Sequence, residues 1–191
     1  MPPTISETKT LYRGWMKILG LRIRLDNGEE VQREVEDHGR AIAVLPYDPE
    51  RRRALLIKLL RAPVLLTTGE VDLLEAPAGM IDENEDPAET TRREAREETG
   101  LHLDTLEHVG TVWSSPGLST ERLHLYLAAY AQSDRVEAGG GVSNEQENIT
   151  VLETPLQELW SMVQSGQIAD MKTLTLVLQL HARRPQLFAP E

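Results

Sequence analysis

The chain has 191 residues, enough for one medium domain with a substantial core. It contains no cysteine, which excludes disulfides, thiolate metal sites and a cysteine nucleophile, and favours a reducing cytoplasm. The net charge of −11 argues against broad contact with nucleic acid, although divalent cations can bring an anionic substrate to a carboxylate cluster. We find no apolar run of membrane-spanning length and no signal-peptide pattern, so we expect a soluble cytoplasmic protein.

The first half of the chain predicts mainly extended structure. The first ten residues are polar, and we expect them to be loose. Asp26-Asn27-Gly28 predicts a hairpin turn between two extended runs over residues 15–37, because Asn-Gly tolerates positive φ. Further strands are predicted over residues 41–46, 54–60 and 71–76, with a turn at residues 48–50.

The second half of the chain contains the clearest helix, over residues 88–99. Pro87 suits its first turn, and Gly100 suits a left-handed cap at its end. Three strands are predicted over residues 106–113, 122–131 and 149–152, and two closing helices over residues 155–165 and 172–181. This mixture indicates an α+β fold in which helices pack on mixed sheets.

Three glutamates of the predicted helix share one face. Glu94, Glu97 and Glu98 are spaced i, i+3 and i+4, so their side chains lie within one turn. Arg93 lies four residues from both Glu89 and Glu97 and can support the cluster through ion pairs. Such a face is usually solvated surface; the alternative is that a hard cation, Mg²⁺ or Mn²⁺, neutralises the carboxylates.

A longer pattern favours the metal interpretation. Gly79 is followed after five residues by Glu85, and after seven more by Arg93-Glu94-Ala95-Arg96-Glu97-Glu98-Thr99-Gly100-Leu101. The spacing resembles the 23-residue signature of the Nudix hydrolases, with Ala95 where a bulkier aliphatic residue is more usual. The resemblance implies a Nudix-type α/β/α sandwich with an N-terminal β-hairpin layer. It also implies metal-dependent hydrolysis of a pyrophosphate.

The resemblance further implies a set of metal ligands. They are the backbone carbonyl of Ala78 and the carboxylates of Glu94, Glu98 and Glu147, with Glu97 assisting. The implied cofactor is Mg²⁺, with Mn²⁺ as a possible substitute, because these ions prefer oxygen ligands.

Other roles follow from the same resemblance. Gly79 permits a close backbone approach in the loop before the helix and is a candidate for contacting the substrate. Glu85 pairs with Arg93, which the resemblance places with Glu97 and Glu98 among the catalytic residues. Glu145, in the loop after the glycines 139–141, matches the position of the general base in ADP-ribose enzymes. A glutamate of the signature remains the other candidate for that base.

Short motifs outside the signature resemble the ADP-ribose pyrophosphatase and GDP-mannose hydrolase branch. They lie at residues 33–35, 59–63, 74–79, 115–117 and 119–121. The glycine-rich loop and residues 168–173 resemble the GDP-mannose hydrolases in particular. The implied substrate is therefore a nucleoside diphosphate sugar, with ADP-ribose ranked first as the commoner substrate of the branch and GDP-mannose a close second.

Several residues are candidates for binding that substrate. Arg33 and Arg61 carry guanidinium forks that suit phosphate or sugar oxygens, although lone arginines are more often surface ion-pair residues. Lys172 can reach the substrate or remain an exposed lysine. By resemblance Trp15 stacks on the nucleobase, or else it is a core or interface residue. Glu121 hydrogen-bonds the distal sugar or faces solvent, and the five histidines show no ligand spacing.

The resemblance also divides the chain. Residues 1–40 are expected to form a β-layer used in homodimer contact, and residues 41–191 the catalytic domain. Two other functions stay open. One is hydrolysis of a dinucleoside polyphosphate or another nucleotide; the other is a non-catalytic nucleotide-sugar sensor. Sensors usually lose one of the signature glutamates, whereas here Glu94, Glu97 and Glu98 are all present.

Overall fold

The structure is a computed structural model that describes residues 1–141 and 148–189. The chain divides into two compact units. The first comprises Met1–Arg40 and Val112–Leu123, and the second comprises Ala41–Thr111 and His124–Glu191. No helix in the described ranges is long and apolar enough to cross a membrane.

The first unit contains a three-stranded antiparallel sheet of β1 (Thr4–Arg13), β2 (Lys17–Arg24) and β3 (Glu30–Glu36), in that order. The predicted hairpin is confirmed, with Gly28 at a φ of +87° in its turn. The expectation of a loose N-terminus is wrong, because β1 pairs with β2 along its length. Every residue of β1 is exposed, so the strand carries no apolar alternation by which a sequence pattern could detect it.

The larger sheet and four α-helices account for most of the remaining described residues. The sheet order is β10-β5-β4-β9-β8, with β6 beside β5 and β7 beside β4. Its strands are β4 (Arg40–Asp48), β5 (Arg53–Leu59), β6 (Leu73–Glu75), β7 (Ala78–Met80), β8 (Glu107–Trp113), β9 (Arg122–Ala129) and β10 (Thr150–Pro155). The helices are α1 (Ala62–Thr68), α2 (Pro87–Thr99), α3 (Leu156–Gln164) and α4 (Met171–Arg183).

The core of the second unit lies around β4. All residues from 41 to 47 are buried, so both faces of this strand are covered. Ala95 of α2 belongs to one cluster with Ile42 and Val44, while Leu45 alternates to the opposite face. Buried leucines anchor α3 and α4, namely Leu156, Leu159, Leu176 and Leu180. The predicted α+β sandwich with mixed sheets is confirmed.

Two features between β5 and α2 differ from the sequence prediction. The strand expected over residues 71–76 is only the three-residue β6, and β7 follows it after a two-residue connection. Helix α1 was not predicted, because its sequence APVLLTT is rich in β-branched residues that are weak helix formers. Pro63 in its first turn and left-handed Gly69 at its end delimit this short helix, which buries none of its residues.

Candidate functional site

Helix α2 presents the predicted acidic face, and its ends explain where it starts and stops. The Asp86 side chain accepts a hydrogen bond from the Ala88 N–H at 2.8 Å, and Pro87 occupies the first turn. Gly100 caps the other end at a φ of +75°. These signals place Glu94 and Glu98 in the last two turns of the helix, as predicted.

Glu98 connects the end of α2 to strand β7. Glu98 is only 3% exposed. One carboxylate oxygen, Oε2, accepts a hydrogen bond from the Ala78 N–H at 3.0 Å. A buried carboxylate needs such a partner, because an isolated buried charge is costly. Two of the four predicted metal ligands, Ala78 and Glu98, are therefore direct neighbours.

Glu94 lies against the backbone of Gly79. A Cβ atom built on Gly79 would lie 2.1 Å from the Glu94 Cδ and 2.2 Å from its Oε1. Only a residue without a side chain permits that approach, so the close approach predicted at Gly79 is confirmed. Glu98 thus contacts Ala78, and Glu94 contacts Gly79, the next residue of β7.

Arg93 ties three carboxylates of the site together. Its guanidinium donates to both oxygens of Glu85, at 3.3 and 3.2 Å, which confirms the predicted pairing. The same group donates to Glu94 Oε1 at 2.8 Å and to Glu97 Oε2 at 3.4 Å. Glu89, which the i, i+4 spacing assigned to Arg93, pairs with Arg92 instead, at 2.8 Å.

These contacts perturb the titration of the pair. The hydrogen bond from Arg93 holds the pKa of Glu85 below its ordinary value, helped by a hydrogen bond from Thr90. In return, the hydrogen bond to Glu85 and the charge of Glu94 raise the pKa of Arg93, so this arginine stays charged throughout the accessible pH range. The low pKa keeps the Glu85 carboxylate ionised at neutral pH.

The charge and donor types of this face fit a hard divalent cation. Arg93 contacts three carboxylates, those of Glu85, Glu94 and Glu97, and Glu98 adds a fourth carboxylate in the last turn of the same helix. All the available donors are oxygens, the ligands that Mg²⁺ and Mn²⁺ prefer. Within residues 1–141 and 148–189, no group of three or more His, Cys, Asp or Glu side chains is arranged so that it could hold a metal ion by itself. The predicted ligand Glu147 and the predicted base Glu145 lie outside the described residues.

A second charged cluster surrounds Glu75, at the end of β6. The Glu75 side chain is 1% exposed and receives a two-pronged hydrogen bond from Arg61, at 2.7 and 2.9 Å. Lys172 donates to the same carboxylate and, at 3.0 Å, to Asp170. Arg61 and Lys172, two of the predicted substrate-binding residues, are therefore held by one buried carboxylate. Lys172 is mostly buried, which excludes the alternative of an exposed lysine.

The Glu75 cluster also attaches α4 to the connection between β6 and β7. Asp170 caps α4 by accepting a hydrogen bond from the Thr173 N–H at 2.9 Å. The Thr173 hydroxyl in turn accepts from the Ala76 N–H at 2.6 Å. Burial alone would raise the pKa of Glu75, but the hydrogen bond from Arg61 and the charge of Lys172 outweigh it and keep that pKa low.

Sequence reasoning assigned no role to Glu75 or Asp170. A signal was nevertheless present, because Glu75 follows two leucines and precedes Ala76 in a strand. A charged residue in an apolar strand is almost never buried without a partner. The partners Arg61 and Lys172 could not be inferred, since they lie far from Glu75 in the chain.

The remaining predicted substrate-binding residues belong to the first unit. Trp15 is 88% exposed, and its ring meets His38 edge-on with centroids 6.4 Å apart. His38 lies between two carboxylates, 3.5 Å from Glu36 and 3.4 Å from Glu121. Arg33, on β3, donates to its neighbouring backbone carbonyl. Sequence reasoning gave His38 no role, although the structure makes it the link between Trp15 and Glu121.

Comparison with known proteins agrees with this geometry. The NUDIX domain model matches residues 37–171. A GDP-mannose pyrophosphatase of Cronobacter sakazakii is 41% identical over 82% of each chain, and one of Citrobacter koseri is 38% identical over 82% of each chain. A GDP-mannose pyrophosphatase of Escherichia coli is 36% identical over 79% of each chain.

A solved structure described as an ADP compounds hydrolase has a similar fold. Its TM-score is 0.78, and the match covers 97% of this chain and 96% of that chain. The sequence identity is 16%, so this likeness concerns the fold alone. The family model, by contrast, spans most of the chain and includes the whole signature from Gly79 to Leu101. The predicted resemblance is confirmed, and the chain belongs to the Nudix family.

Proposed function

We propose that this chain hydrolyses the pyrophosphate bond of a nucleoside diphosphate sugar to a nucleoside monophosphate and a sugar phosphate. The observation that carries the proposal is the pair of contacts at β7, Glu98 on the Ala78 N–H and Glu94 against Gly79. They bring two carboxylates to one stretch of backbone, where a cation and a pyrophosphate can meet. Family membership and the names of the relatives support the same reaction.

We propose Mg²⁺ as the cofactor, with Mn²⁺ as a substitute. The proposed ligands are the carbonyl of Ala78 and the carboxylates of Glu94, Glu98 and Glu147. The support is the cluster of three carboxylates, Glu85, Glu94 and Glu97, around the one guanidinium of Arg93, because carboxylate oxygens are the donors that these cations prefer. When bound, the cation neutralises charge on the pyrophosphate oxygens and makes water a better nucleophile.

The proposed chemical step is an in-line displacement at phosphorus. The oxygen of water forms a bond to one phosphorus atom, and the bond from that phosphorus to the bridging oxygen breaks. The electron pair stays with the departing phosphate, and the proton of water passes to a carboxylate. Glu145 is the proposed acceptor of that proton, and Glu97 or Glu98 is the alternative.

For the substrate, we now rank GDP-mannose ahead of ADP-ribose. The order from sequence reasoning is reversed because all three relatives described above are named GDP-mannose pyrophosphatases. The glycine-rich loop and residues 168–173 point the same way. The substrate panel described below distinguishes guanine from adenine as the nucleobase of the preferred substrate.

We propose that Arg61 and Lys172 bind the substrate's phosphate or sugar oxygens. Both are held by Glu75, so their charged ends are fixed before substrate arrives. Fixed donors lose less conformational entropy on binding than flexible ones. For Trp15 we propose stacking on the nucleobase, and for Arg33 and Glu121 polar contacts to the substrate.

We propose that the first unit, with residues 1–40, mediates a homodimer. No residue of β1, β2 or β3 is buried, and a three-stranded sheet normally needs a covered apolar face to be stable. One face forms a groove whose lining carries both signs of charge, through Glu7, Lys9, Arg22, Arg33 and Glu34. A patch with both signs can be self-complementary about a two-fold axis. Sedimentation at several concentrations tests the dimer, and a monomer throughout contradicts it.

The proposed function is tested with a substrate panel. The purified chain is incubated with Mg²⁺ and GDP-mannose, ADP-ribose, ADP-glucose, diadenosine polyphosphates or NADH. We expect the highest kcat/KM for GDP-mannose, with GMP and a sugar phosphate as products. Preference for a diadenosine polyphosphate supports the alternative substrate, and no turnover of any compound contradicts the enzyme.

Two variants of α2 provide the matched control for the metal site. Glu98→Gln removes a proposed ligand and is expected to lower kcat by at least about 100-fold. Glu89→Gln removes an exposed glutamate of the same helix, which pairs only with Arg92 among the contacts above, and is expected to leave kcat unchanged. Equal activity of the two variants contradicts the ligand assignment.

The cytoplasmic location inferred from composition stays a prediction.

A further inference from the structure

The glycine-rich segment at residues 139–141 is bonded to the end of helix α2. The Gly140 N–H donates to the backbone carbonyl of Glu98 at 2.8 Å. The Gly141 N–H donates to the backbone carbonyl of Glu97 at 3.1 Å. The last two glutamates of the signature thus receive their backbone hydrogen bonds from a segment about forty residues further along the chain.

These bonds extend the cap of the helix. The last four carbonyls of an α-helix have no partner within the helix. The N–H groups of Gly100 and Leu101 satisfy the two carbonyls that precede Glu97. The carbonyls of Glu97, Glu98 and Thr99 follow, and the glycine segment provides donors for the first two. Without that segment, the turn that carries Glu98 would end in unsatisfied carbonyls and would fray.

The contact requires glycine at position 139. Gly139 has a φ of +73°, a region that other residues adopt only with strain. A Cβ atom there would lie 2.5 Å from the Glu98 carbonyl oxygen and 2.6 Å from the Thr99 carbonyl carbon. Both neighbours are backbone atoms, so no side chain can rotate away to relieve the clash. A larger residue must push the segment off the helix.

Glu98 is therefore fixed through both its side chain and its backbone. Its carboxylate accepts from the Ala78 N–H, and its carbonyl accepts from the Gly140 N–H. We propose that Gly139 is a positioning residue for Glu98: it lets the glycine segment lock the last turn of α2 and so fixes the direction of the carboxylate. This inference rests on the proposed function, in which Glu98 is a metal ligand. It adds that metal affinity depends on a backbone contact outside the signature.

A matched pair of alanine variants separates this contact from the cost of positive φ. Gly166 has a φ of +74°, but a Cβ there would meet nothing within 4 Å. Gly139→Ala and Gly166→Ala therefore introduce similar backbone strain, and only the first adds the clash with α2. We expect Gly139→Ala to weaken Mn²⁺ binding by about 10- to 100-fold, as loss of a ligand-orienting partner does. Gly166→Ala should bind Mn²⁺ like the wild type.

The readout is isothermal titration of each folded protein with Mn²⁺ in the absence of substrate, after circular dichroism has established folding. Equal Mn²⁺ affinity of Gly139→Ala and Gly166→Ala overturns the positioning role while leaving the proposed function intact. Failure of the wild type to bind Mn²⁺ or Mg²⁺ at all overturns the proposed function, and the inference with it.

A measurement on the wild type alone covers the case in which Gly139→Ala does not fold. If the segment and the metal site are coupled, binding of Mg²⁺ must protect the amides of Gly140 and Gly141. We expect their hydrogen exchange to slow by at least about fivefold when Mg²⁺ is added. An unchanged exchange rate at both amides, in protein shown by titration to bind Mg²⁺, overturns the inference.

Discussion

Replacing Glu75 by glutamine removes the buried charge that holds Arg61 and Lys172. The substitution keeps the size of the side chain, so it tests the charge and not the packing. Loss of one member of a buried ion pair costs about 3–5 kcal/mol, because the partner charge is left uncompensated. Arg61 is 40% exposed and can be partly hydrated, and Lys172 keeps Asp170 as a partner. We therefore expect the lower end, about 3 kcal/mol.

The pH dependence of this loss has a definite sign. The pKa of Glu75 lies below its ordinary value of 4.5, because the bonds from Arg61 and Lys172 outweigh the effect of burial. The unfolded chain therefore binds more protons than the folded chain in the interval between the two values. The stability that Glu75 contributes is fully present above pH 4.5 and is lost as the pH falls through the folded pKa.

The assay is urea denaturation followed by circular dichroism, at neutral pH and at acidic pH. Glu153→Gln serves as the control, since it breaks another two-pronged arginine contact, to Arg51 at 2.7 and 2.5 Å, at a more exposed position. We expect the control to cost about 0–1 kcal/mol. Equal losses of stability for the two variants at neutral pH would contradict the role of the buried charge, and so would a Glu75→Gln loss that does not shrink in acid.

The same variant affects catalysis through its neighbours. If Glu75 positions Arg61 and Lys172, Glu75→Gln should raise the KM for the sugar nucleotide by about tenfold, equivalent to one charge-assisted hydrogen bond. The Glu153→Gln control should leave KM unchanged. A Glu75→Gln enzyme with wild-type KM would show that the cluster is structural only.

Three further substitutions test separate parts of the site. Arg93→Lys cannot reproduce the fork on Glu85 and should lower kcat/KM by about 10- to 100-fold in steady-state assays, even though charge is retained. Gly79→Ala should raise the Mg²⁺ concentration for half-maximal activity by about tenfold, because its Cβ displaces the Glu94 carboxylate. The fold should be kept, because the Glu94 side chain is flexible and can move aside. Asp86→Ala should cost about 1 kcal/mol in urea denaturation through loss of the helix cap, and Asp86→Asn should restore it.

Each of these three substitutions has an outcome that contradicts its reasoning. Full activity of Arg93→Lys would mean that charge alone suffices at that position. An unchanged Mg²⁺ dependence of Gly79→Ala would mean that Glu94 is not a ligand. Equal stability of Asp86→Ala and the wild type would mean that the Asp86 cap does not stabilise the start of α2.

Local signals in the sequence were sufficient to predict α2 and the residues on it. Pro87 and Gly100 are both short-range features, and the spacing of Glu94 and Glu98 follows from helix geometry alone. The signature places Gly79 and Glu94 in one continuous segment, but the contact between them is seen only in the structure. The helix and the positions of its glutamates were predictable because they depend on residues close together in the chain.

The elements that escaped prediction depend on distant partners or lack a pattern. Strand β1 exists through its ladder with β2, and its ten exposed residues offer no alternation to read. The Glu75 cluster joins residues up to 97 positions apart, and no periodicity reports such a contact. The bonds from Gly140 and Gly141 to α2 join backbone atoms, so apart from the glycines themselves no residue type in the sequence indicates them.

Glu98, beside Ala78, is proposed to serve as a metal ligand in the cleavage of a sugar nucleotide's pyrophosphate. The most direct test is ³¹P nuclear magnetic resonance of GDP-mannose with Mg²⁺ and either wild-type or Glu98→Gln protein. We expect the wild type to replace the two pyrophosphate signals with two phosphomonoester signals, from GMP and mannose 1-phosphate. Glu98→Gln is expected to leave the spectrum unchanged over the same time. Unchanged pyrophosphate signals with the wild type, or equal conversion by both proteins, would contradict this proposal.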